Sequence, residues 1–140
     1  MAAQDNLSEA LFTVPLHRGV KSTSTLSNPV GIHWTDVPKV AEKFARAKVM
    51  YPNERGSGRV IHGKVNEKAI VDKKSKEGRT LRKLHGIEPY ENEHENTVRP
   101  GATVLVTGST RITHTVDPKG KEKIERRRER RYNPPRQVRA

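Results

Sequence analysis

The chain's 140 residues fit one domain, and 28 Lys and Arg against 16 Asp and Glu leave it a formal net charge of +12. Apolar residues make up 31% and aromatics 4%, so the core must be small and part of the chain must lie outside it. The absence of cysteine excludes disulfides and Cys-ligated zinc, and no apolar run approaches the roughly 20 residues of a membrane span. With no signal-peptide pattern in MAAQDNLSEA, a soluble cytoplasmic protein without membrane contact is expected.

ALFTVPLHRGV (10–20) alternates loosely with β-formers, which predicts a strand that delivers His17 and Arg18 near its end. KSTSTLSNPVG (21–31) reads as a loop. GIHWT (31–35) is a short strand, and Thr35-Asp36 with Pro38 in the first turn marks a helix start. Val37, Val40, Ala41, Phe44 and Ala45 then fall on one apolar stripe. A strand near 59–65 and a short apolar piece at 69–71 follow. Residues 72–90 are charged with scattered apolar positions and read as a surface excursion holding one helical turn. After a turn at Pro100-Gly101, two β-rich runs, 102–107 and 110–116, flank Gly108-Ser109 and predict a hairpin. The Glu/Arg-rich end reads as a solvated helix to about Tyr132, with Pro134-Pro135 forcing an extended finish. The expected class is α+β, with a domain over 1–117 and a basic tail over 118–140.

From Lys119 onward, three Lys and seven Arg against three Glu hold +7 of the total charge. The cluster Arg126, Arg127, Arg128, Arg130 and Arg131 suits phosphate-backbone contact, because clustered cations release counterions from nucleic acid. A solubilising tail, or one that docks on an acidic partner, is the competing reading. The six histidines are dispersed without HExxH spacing, so no metal is expected. Glu91, Glu93 and Glu95 alternate, and in an extended segment all three would point to one side. Like charges on one face repel, and a nearby cationic ligand or positive transition state is a reason to keep them.

Three stretches occur in order: LHRG (16–19), GIHWTDVPKVAEKFA (31–45) and EHENTVRPG (93–101). This trio resembles the ADP-ribosyltransferase family of the arginine, serine, glutamate type, in particular a small phage and actinobacterial branch. The resemblance implies a minimal fold of two small packed sheets with one clear helix, around a cleft holding NAD in a bent form. It implies NAD as substrate, no metal, and transfer of ADP-ribose to a host macromolecule, arginine on protein or a nucleic-acid acceptor, in the host cytoplasm for a phage-encoded enzyme.

Residue by residue, Glu95 matches the catalytic glutamate that hydrogen-bonds the ribose. A carboxylate there stabilises the oxocarbenium-like transition state more than the ground state. Glu93, with Glu91 as the other candidate, matches the glutamate that positions or deprotonates the acceptor. Arg18, beside His17, matches the arginine that binds the NAD phosphates. Thr35 falls on the family's serine-threonine-serine strand, which places His33 and Trp34 beside the nicotinamide ribose, Trp34 having core packing as its other reading. This chain has His33-Trp34-Thr35 in place of the family's S-T-S, while its literal STS at 22–24 lies in the loop. The reading of a different class is a non-enzymatic nucleic-acid-binding or virion-associated protein that acts through its Arg-rich tail.

Overall fold

A computed structural model describes residues 10–21, 26–46, 55–85 and 95–140. Its strands are β1 (Val14–Val20), β2 (His33–Thr35), β3 (Arg55–Val65), β4 (Ile70–Val71), β5 (Glu95–Val98), β6 (Thr103–Val116) and β7 (Glu122–Arg139). Its helices are α1 (Pro38–Ala45) and α2 (Lys76–His85). All seven strands join one antiparallel sheet in the order β4-β5-β2-β1-β3-β6-β7. The α+β class holds, and one sheet stands where two small ones were expected.

Alternation along the strands gives the sheet two different faces. One carries the main core, with Leu16, Trp34, Ile61, Val65, Val98 and Val106 all buried. The sheet curls around this core. Near its closing edge, the Val30 amide donates to the Arg139 carbonyl at 2.7 Å and the Gly101 amide to the Ala140 carbonyl at 3.0 Å. Val138 and Ala140 are thereby buried in the same cluster.

The other face receives α1 through Ala41, Ala45, Val60 and Ile112. Contact there is between backbones. A Cβ at Gly19 would lie 1.9 Å from the Ala41 carbonyl oxygen, and one at Gly58 would lie 1.7 Å from that of Ala45. Two strand glycines therefore let the helix sit directly on the sheet, and the small alanines make the contact. Of the expected apolar stripe, Ala41 and Ala45 are buried, whereas Phe44 is 64% exposed. The helix begins at Pro38, with the Thr35 hydroxyl accepting from the Val37 amide at 3.1 Å.

Three expectations give way. Residues 72–90 hold a helix of ten residues, α2, rather than one turn. The Ser75 hydroxyl accepts from the Gly78 amide at 3.0 Å, an N-cap that needs no apolar stripe, and Arg99 grips Glu77 with two hydrogen bonds. Gly108-Ser109 is no hairpin turn: β6 runs straight through it with irregular register. The hairpin turns at 117–120 instead, where Gly120 has φ +82° and Asp117 Oδ1 accepts from the amides of Lys119 and Lys121. Finally, the basic end is not a helix. It is β7, an 18-residue edge strand paired along β6, whose long β-branched run supplies the ladder, and the division expected at 117/118 falls in the hairpin turn. Among the described residues, no helix is long and apolar enough to cross a membrane.

Candidate active site

The three residues of β2 lie between β1 and β5. His17 stands opposite Thr35, Thr35 opposite Glu95, and His33 opposite Thr97. Directly paired residues share a face, so these five side chains lie on the α1 side of the sheet. Trp34, between two of them, points the other way into the core at 2% exposure, and its Nε1 donates to the Gly31 carbonyl at 2.9 Å. Core packing is thus what Trp34 does in this fold, and it is not beside His33 and Thr35 on their face. Thr35 is buried and engaged with the start of α1. His33 Nδ1 lies 3.1 Å from Glu95 Oε1, a diagonal cross-strand pair whose carboxylate is 19% exposed.

Arg18 belongs to the opposite face, two residues along β1 from the buried Leu16. Its Nη1 reaches the backbone of the same short strand, donating to the His33 carbonyl at 2.9 Å. The guanidinium occupies the space that a side chain at Gly31 would need, and Gly31 adopts φ +116°. Burial pushes the Arg18 pKa below its ordinary value, and its buried Nε has no acceptor among the described residues. LHRG, GIHWT and the last glutamate of the acidic stretch thus converge on β2. Arg18 and Glu95, however, approach it from opposite faces. Glu93 and Glu91 lie outside the described residues.

Beyond β1 the polar row continues. His17 Nδ1 and His62 Nδ1 are 2.8 Å apart, and His62 Nε2 is 2.7 Å from Thr110 Oγ1. Two neutral rings satisfy this chain in either direction, each ring donating once and accepting once where the row requires it. Burial, then the charges of His17 and Arg128, push the His62 pKa down to about 4. Burial also lowers that of His17, against a smaller opposing effect of Asp36. His62 and Thr110 escaped sequence reasoning because only strand register brings residues 17, 62 and 110 together.

The arginines expected in a tail sit on β7. Arg126 holds Glu42 of α1 through two hydrogen bonds of 2.6 and 2.9 Å. Arg127, Arg128, Arg130 and Arg131 are exposed. Between them, Glu129 is the extra residue of a bulge, since Thr110 pairs with Arg128 and Ser109 with Arg130. Its carboxylate binds Arg59 Nη2 at 2.5 Å and Arg111 Nε at 2.7 Å. Burial raises the Glu129 pKa, but the Arg111 hydrogen bond and the two cationic charges outweigh it and leave the carboxyl below its usual range. Among the described residues, no group of three or more His, Asp or Glu is placed to hold a metal ion.

The chain has no significant match among protein-family models, curated proteins or solved structures.

Proposed function

We propose that the protein is an NAD-dependent ADP-ribosyltransferase whose carboxylate is Glu95, on a minimal scaffold of that family's type. The observation that carries the reading is the convergence on β2: Arg18 bonds the His33 carbonyl, and the His33 ring bonds Glu95. Residues 77 positions apart in the chain, each from a different landmark, are linked through one strand of three residues.

In this reaction the bond between nicotinamide and ribose C1 breaks, and nicotinamide leaves with the bonding electron pair. Positive charge develops on the ribose, and the acceptor's nucleophilic atom then bonds C1 and gives up its proton. Glu95, partly buried and oriented by His33, presents negative charge where it is worth more than in water. Arg18 acts as a positioning residue, because its Nη1 is committed to the backbone that carries His33 and its guanidinium lies on the face of the sheet opposite Glu95. His17 and His62 stay neutral at physiological pH and add no charge that would oppose the cation. The acceptor is a macromolecule, protein or nucleic acid, acting in a cytoplasm.

Labelled NAD incubated with the pure protein and a bacterial lysate tests this. Nicotinamide release is expected, with label on a macromolecule, and Glu95→Gln should reduce the rate by about 100-fold or more. Absence of NAD cleavage and of NAD binding in the folded wild-type protein would overturn the reading.

The basic strand favours a second reading, a binding protein for a polyanion with no turnover of its own. Retention of salt-dependent binding together with inert NAD would select it.

A further inference from the structure

The register breaks on β6 and β7 face one another. On β6 the pairing slips on both sides of Gly108-Ser109, and on β7 Glu129 is the bulged residue. A Cβ at Gly108 would lie 2.6 Å from the Arg130 carbonyl oxygen, so glycine alone lets the two strands meet this closely. With Glu129 turned to Arg59 and Arg111, its neighbours Arg128, Arg130 and Arg131 are left to line a cavity of about 420 Å³. His62, Ser109 and Thr110 form the other wall. Among the described residues no carboxylate pairs with any of these three arginines, whereas Arg126 is held by Glu42 and Glu129 is already shared by two other cations. The cavity therefore gathers three guanidiniums that no carboxylate among the described residues pairs with, while its hydroxyls are tied to the fold, that of Ser109 donating to Glu129 at 3.5 Å and that of Thr110 bonded to His62.

The class of ligand follows from what surrounds it. Guanidinium forks suit phosphate oxygens, and two further exposed cations of the same edge strand, Arg127 and Arg136, stand on its other face, so a polyanion lying along this edge meets cations from both sides. An acidic peptide would ordinarily bind such an edge by adding a strand. Here the bulge and Pro134-Pro135 interrupt the edge, and charged side chains blunt it, so recognition falls to the side chains. We propose that this cavity is a phosphate-binding subsite that holds a nucleic-acid strand on β7. It shares the sheet with Glu95, from whose strand β5 its near wall, His62 on β3, is three steps away in the strand order and its arginines on β7 are five. The proposal does not rest on the ADP-ribosyltransferase reading.

The test is fluorescence anisotropy of a short labelled single-stranded DNA across a potassium chloride series, without NAD. Three proteins are compared: the wild type, Arg128→Ser/Arg131→Ser, and Lys39→Ser/Lys43→Ser, which removes the same charge from exposed positions on α1. The cavity variant should lower the slope of log Kd against log salt by about 1.4, two lost contacts on a single strand, and the α1 variant should leave it unchanged. Equal losses in both would mean that only net charge matters and would overturn the proposal. In the wild type, inorganic phosphate should shift the amide resonances of residues 108–110 and the His62 ring. Shifts spread evenly along β7, or none, would also overturn it. So would displacement of the DNA by a polyglutamate peptide at equal charge concentration, which would point to an acidic protein partner. Glu95→Gln should bind DNA as the wild type does, which separates failure of the subsite from failure of the catalytic reading.

Discussion

The guanidinium of Arg18 lies where a side chain at Gly31 would begin: a Cβ there would be 2.5 Å from Arg18 Cζ, and Gly31 has φ +116°. This contact locks LHRG to GIHWT. Gly31→Ala therefore meets two penalties, an unfavourable backbone conformation and eviction of Arg18 from its place under β2. Together they should lower the unfolding free energy by about 2–3 kcal/mol. Trp34 is the chain's single tryptophan and bonds the Gly31 carbonyl, so urea unfolding followed by its emission reads the change directly. A variant as stable as the wild type would show that Arg18 has another resting place.

Removal of residues 118–140 should not yield a folded domain stripped of a tail. The deletion would take Val138, Ala140 and Tyr132 from the core and free the edge of β6, a 14-residue strand rich in β-branched side chains. An exposed edge of that length invites aggregation. The expected result is insoluble protein, or soluble protein without the fluorescence of a buried Trp34. A monomeric truncation with native-like emission would mean that β7 only decorates the sheet.

The strands β1 and β3 and the helix α1 were legible from residue spacing, whereas the proximity of the landmark stretches was implied only by the family resemblance. The basic end was not. In ERRRERR both helical and strand spacing leave charge exposed, so periodicity has no buried face to report, and only the partner strand β6 decides. Gly108-Ser109 misled for a related reason: a glycine inside a strand marks a close approach as readily as a turn, and here the approach is to Arg130. At α2 the signal was the cap, Ser75, rather than apolar periodicity. In the candidate site, Glu95, His33 and Arg18 could be singled out from motif order, whereas the faces they occupy depend on register.

Stability should fall as pH drops from about 6.5 toward 4. His62 protonates near 6.5 in an unfolded chain but only at about 4 in the fold, so between these values the unfolded state binds more protons. The contribution is complete above the unfolded pKa and is progressively lost below it. For a half-exposed ring its size is of order 1 kcal/mol after solvent screening. His62→Gln retains a group able to bond Thr110 without titrating. Denaturant unfolding at about pH 7 and about pH 5 should therefore show a smaller drop for this variant than for the wild type. Parallel pH profiles for the two proteins would place the titration elsewhere.

The carboxylate of Glu129 ties β7 to Arg59 and Arg111, while its neighbours Arg128, Arg130 and Arg131 line the proposed phosphate subsite. Arg59, with a side chain only 10% exposed, faces the carboxylate at 2.5 Å, and Arg111 completes the pair of cations. Glu129→Gln keeps the shape but removes the charge that compensates a buried guanidinium, which should cost about 3 kcal/mol. Glu125→Gln, four residues away and paired with Lys123 on the surface, should leave stability unchanged. The same substitution at 129 also tests the bulge. If Glu129 is what directs Arg128, Arg130 and Arg131 into one cavity, the variant should lose the local phosphate-induced shifts at residues 108–110 under conditions where it remains folded. Retention of those shifts would assign the cavity to the register of β6 alone, with Gly108 as its determinant.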